Sequence, residues 1–116
     1  MDNNYIEIIR GMLGENLFVK LSEELFNKIN TKYPRIRIDK ATKIVEYNMS
    51  TILIIGIEKA NGCDDENIVQ RVNWYNICSQ SDLLERNIIE MMNVYSEYID
   101  IIIKVAKEIK KSGSNI

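Results

Sequence analysis

The sequence predicts an α+β fold: an N-terminal helix or helical pair, a three- to four-stranded antiparallel β-meander, and a long C-terminal helix packing on the sheet and on a partner subunit. Three observations predict it. Apolar residues recur at helical spacing over the first third, alternation and β-branched residues dominate the middle, and heptad spacing runs through the last third. With 116 residues, 46% hydrophobic and 28% charged, the chain fits one domain over residues 1–112, with residues 113–116 as a flexible polar tail.

The first element follows from "DNNYIEIIRGMLG", where Asp2 to Asn4 offer polar caps and Tyr5, Ile8, Ile9, Met12 and Leu13 share one helical face. Gly11 and Gly14 interrupt it. Leu17, Leu21, Leu25 and Ile29 then stand four apart, broadened by Phe18 and Phe26, and Pro34 stops this helix at or before Tyr33. The expectation is two helices, or one broken at the glycines.

From Arg35 the period changes to two, with Arg35 and Arg37 alternating with Ile36 and Ile38. "DKAT" reads as a tight connection, followed by strands at Lys43–Met49 and Thr51–Lys59. The run "ILIIGI" is apolar on both faces, which suits a central strand covered on both sides, with Gly56 marking a bulge or a close backbone approach. After the loop "KANGCDDEN", the segment "IVQRVNWYNIC" admits two readings. Its Trp, Tyr and Val favour a fourth strand. The alternative is a helix with Asp64 or Asp65 as N-cap and Ile68, Val72 and Tyr75 inside.

"SQSD" fits a capping box, Ser79 as N-cap and Asp82 at the third helical position, opening a long helix. Leu84, Ile88, Met91, Tyr95, Tyr98, Ile102, Val105 and Ile109 fall at alternating steps of four and three, the a/d spacing of coiled coils. A second stripe runs through Ile89, Met92, Ile99, Ile103 and Ala106. Leaving those five in water forfeits on the order of 5–10 kcal/mol, which rivals the stability of a small domain. One stripe can pack on the sheet, and the adjacent one then needs a second copy of the chain or, as the alternative, the N-terminal helices. A homodimer through the Leu84–Ile109 helix is expected, with either stripe able to face the partner.

Composition excludes several functions. No histidine is present, and Cys63 and Cys78 stand apart without a CxxC, so neither a zinc site nor a histidine-activated nucleophile is expected. No cofactor or metal is expected, and the "CDDE" acids read as a solvated loop or a helix N-cap. Fifteen cations against seventeen acids produce no global field for nucleic acid or an anionic bilayer. The longest apolar run is far short of the roughly 20 residues that span a membrane, and Asp2 and Glu7 do not suit a signal peptide. The cytoplasm is the expected compartment. An Ile-, Asn- and Lys-rich, Ala-poor composition suits an AT-rich coding sequence, as in low-GC bacteria or their phages.

The functional expectation is a non-enzymatic homo-oligomeric protein of the phage or mobile-element inhibitor, adaptor or chaperone type, acting by binding a protein partner. The alternative is sequestration or sensing of a small anionic ligand such as a nucleotide, for which Arg35, Arg37, Lys43, Arg71, Trp74 and Tyr75 form the candidate site. A DNA-binding regulator stands third.

Overall fold

A computed structural model describes residues 3–79 and 87–113, with side chains described from 5 to 73 and from 87 to 113. Every regular element among them is an α-helix: α1 Asn3–Leu13, α2 Glu15–Lys32, α3 Ile38–Ala60, α4 Asp65–Ser79, α5 Ile88–Val94 and α6 Ser96–Lys111. The α+β expectation and its β-meander are thus overturned. Residues 43–49 and 51–59 both lie in α3, and the segment from Ile68 to Cys78 lies in α4.

The reason is visible in α3. Six consecutive residues, Asn48 to Leu53, are all buried, so this helix is covered all round. It packs against each of the other five helices, most extensively against α6 and α2. A helix apolar on every side belongs at a core. A short run apolar on both faces looks the same whether it is a central strand or a central helix, and the alternation at Arg35–Ile38 proves to be a turn ending at the first residue of α3. The helix-propensity cost of β-branched residues is at most about 0.7 kcal/mol each. Burying a large apolar side chain returns about 1.5–3 kcal/mol, so packing decides.

The N-terminal pair forms as its spacing implies. Gly14 adopts φ 82 between α1 and α2, a conformation costly to residues with a Cβ, and α2 ends at Lys32 before Pro34. The α3–α4 connection turns at Gly62, φ 85, and the Asp64 carboxylate accepts from the Asn67 N–H at 2.9 Å. That is the N-cap of the helical alternative, and Ile68 and Val72 are fully buried as that alternative requires. The preferred strand reading failed because the strand preference of Trp, Tyr and Val is weak, well below what burying Ile68 and Val72 contributes.

The C-terminal helix is not one rod. Tyr95, at φ −107 and ψ 23, ends α5 and precedes α6. The proposed capping box and Leu84 lie outside the described residues. Along the first stripe Ile88, Met91, Tyr95, Tyr98 and Ile102 are buried within the chain, while Val105 and Ile109 are half-buried. On the second stripe Met92, Ile99 and Ala106 are buried, Ile103 is half-buried and Ile89 is exposed. One subunit therefore covers most of both stripes, chiefly through α3 and α1, and the burial argument for a partner copy loses its premise. No described helix is long and apolar enough to cross a membrane.

Candidate functional site

A groove of about 550 Å3 with an apolar floor opens where α1, α2 and α3 meet. Phe18 and Phe26 come from α2, two turns apart on one face, and Val45 and Met49 from α3, one turn apart. Ile6 of α1 completes the apolar lining. Of the floor residues Phe18, Val45 and Met49 are buried, whereas Ile6 and Phe26 are half-buried.

The rim is polar and unevenly charged. Arg10 lies over the Phe18 ring, 4.5 Å from guanidinium carbon to ring centre. Its charge is met by Glu7 at 3.0 Å and Glu15 at 3.3 Å. Glu23 and Glu46 on the opposite walls form no ion pair among the described residues. The groove thus combines an apolar floor, a neutralised cation and two free carboxylates. Ser22, another lining residue, is held by a 2.8 Å bond to the Phe18 carbonyl.

A second, much smaller cavity of about 20 Å3 lies between α2, α3 and α5, with room for about one water. Asn48 lines it. Its Oδ1 is buried without a hydrogen-bond partner among the described residues, while Lys28 at the same cavity reaches Glu90 at 3.3 Å.

The arginines proposed from sequence do not converge as one site. Arg35 is exposed in the α2–α3 turn, Arg37 is the N-cap residue of α3 and pairs with Asp39 at 3.4 Å, and Lys43 is exposed on the second turn of α3. Arg71 belongs to α4 and bonds Glu58 at 2.7 Å near the far end of α3. Glu58 is about 22 Å along the axis from Lys43 at 1.5 Å per residue. Trp74 and Tyr75 lie in α4, with side chains outside the described residues.

What sequence reasoning missed is the company kept by the first three cations. Lys28 and Lys32 precede them and Lys40 stands between Arg37 and Lys43, so residues 28–43 hold six cations and one acid, Asp39. The other nine cations of the chain face sixteen acids. The signal was countable from the sequence, but a helical hairpin was needed to gather it at one end. The groove residues carried no such signal, since Phe18, Val45 and Met49 look like ordinary core positions.

Fold and groove together define a small all-helical bundle with a carboxylate-rimmed apolar cleft. No family model matches the chain, and no curated protein and no solved structure matches it.

Proposed function

We propose that this chain is a non-enzymatic binding protein whose α1–α2–α3 groove receives an amphipathic segment of a partner protein, and that it acts by occupying that segment. The observation that carries the reading is the groove itself, with its aromatic and aliphatic floor and unpaired Glu23 and Glu46 at the rim. From Phe18 to Phe26 the track runs about 12 Å along α2, two helical turns, a length that suits successive anchor side chains of a docked helix more than a compact small molecule. Charge complementarity selects the occupant. With Arg10 already neutralised, the unbalanced charge is negative, so the partner segment presents lysine or arginine beside its apolar anchors.

The small-anion alternative has less support, because Arg71 is engaged by Glu58 and lies far from Arg35 and Arg37. The test is selection of displayed peptides against the full chain. Recovered sequences are expected to place apolar residues at helical spacing with at least one cation, and to bind Glu23→Lys/Glu46→Lys at least about tenfold more weakly, from the charge-pair energies seen at interfaces. Thr42→Trp, an exposed substitution that fills the groove, should block them. Binders indifferent to both variants, or no binders at all, would remove this function.

A further inference from the structure

The α2–α3 turn combines two surface features, an exposed isoleucine and a set of exposed cations. Ile38, the first residue of α3, is 76% exposed, far more than any other exposed large hydrophobic side chain described. Around it Lys32, Arg35, Arg37 and Lys40 are all exposed, as are Tyr33 and Pro34. Arg35 and Lys40 have no ionic partner among the described residues, and the Arg37–Asp39 pair is highly exposed, so it masks little charge. The N-terminus of the 23-residue helix α3 opens here without a side-chain cap, adding modestly to the positive potential.

Each class of anionic partner uses these features differently. A small anion needs cations converging on one point, whereas these are spread over two helix ends and a turn. A nucleic acid engages the cations but takes up an isoleucine only as a wedge between base steps of a kinked duplex. The rest of the chain, with nine cations against sixteen acids, offers little to hold such a bend. The surface of an anionic bilayer uses both: cations attract the headgroups, and the isoleucine and tyrosine enter the interfacial layer, where amphipathic aromatic and aliphatic groups settle.

We propose that the α2–α3 turn is a peripheral docking tip for an anionic lipid surface, with Ile38 as the inserted side chain and Lys32, Arg35, Arg37 and Lys40 as the headgroup contacts. The acid-rich remainder of the chain is repelled by the same surface, so docking is tip-first. One side chain and a handful of cations make a reversible attachment, released by salt. This site is separate from the groove, and neither reading depends on the other.

Co-sedimentation of the full chain with vesicles tests it, using phosphatidylcholine containing roughly one-third phosphatidylglycerol against phosphatidylcholine alone at low salt. Binding is expected only to the anionic vesicles and is expected to disappear at high salt. Removing a cation should lower the partition about fivefold, so Arg35→Ala/Lys40→Ala should lose about 25-fold. Ile38→Ser, which leaves charge unchanged and alters an exposed position, should lose several-fold. Circular dichroism confirms that each variant is folded. Equal binding to neutral vesicles, or none to anionic ones at low salt, overturns the proposal. So does an Ile38→Ser protein that binds undiminished while single-stranded or duplex oligonucleotides compete, which would reassign the tip to nucleic acid.

Discussion

Gly56 on α3 and Ile102 on α6 approach so closely that a Cβ placed on the glycine would lie 2.8 Å from the Cβ of the isoleucine. Real carbon atoms do not pack at that distance, so the α3–α6 crossing exists in this form because position 56 has no side chain. Gly56→Ala is expected to destabilise the chain by about 1–3 kcal/mol, the usual cost of overpacking, despite alanine's better helix propensity. Thermal unfolding should show a fall of about 5 °C or more. Adding Ile102→Ala trades overpacking for a partial cavity, so the double mutant should cost less than the two singles summed; strict additivity would show that the two positions do not touch.

Tyr98 donates its hydroxyl to Glu24 Oε2 at 3.1 Å, tying α6 to α2. Burial, then the bond to Glu24 and its negative charge, push the tyrosine from the ordinary 10.0 up to about 12. The folded value lies above the unfolded one, so the neutral phenol's contribution is complete below about pH 10 and is lost as pH rises toward 12. Tyr98→Phe should cost about 1 kcal/mol near neutrality. The gap in melting temperature between wild type and variant should shrink as pH rises from 10 toward 12. A constant gap would mean that ionisation of Tyr98 is not resisted by the fold.

Asn48 is 4% exposed and its Oδ1 has no hydrogen-bond partner among the described residues. An unsatisfied buried oxygen costs on the order of 1–3 kcal/mol, whereas leucine is close in size and apolar. Asn48→Leu is therefore expected to raise the denaturation midpoint. A loss of stability would reveal that the neighbouring cavity holds a water bonded to this amide.

Ile102 is fully buried beneath α3, so Ile102→Asp places a carboxylate in the core with no cation beside it. The expected outcome is loss of the helical circular dichroism signal, at a cost above about 4 kcal/mol, and not release of folded monomers from a dimer. Light scattering that found smaller but still helical particles would place Ile102 at an interface between copies.

Much of the bundle was legible before any coordinates. The breaks at Gly14 and Pro34 follow from conformational limits that act on single residues, and the spacing of Leu17, Leu21, Leu25 and Ile29 already identified the face that α2 would bury, which it does except at half-buried Leu17. Asp64 was readable as an N-cap. The errors concentrate where a segment is apolar on several sides, because periodicity then loses its contrast. The break at Tyr95 left no glycine or proline to betray it, and the heptad spacing continues unbroken across it.

The chain's order of amino acids determined by itself which residues had to leave water, where α1, α2 and α4 begin or end, and that residues 28–43 are basic within an acidic protein. These are local properties, set by side-chain chemistry and by the φ preferences of glycine and proline. Only the tertiary structure decided that the isoleucine-rich middle coils into a central helix, that most of both described stripes of the C-terminal segment find cover in the same subunit, and that Phe18 and Met49 floor a groove. Each of those outcomes depends on which neighbours arrive from distant parts of the chain, and burial energies of a few kcal/mol per side chain outweigh local preferences of a few tenths.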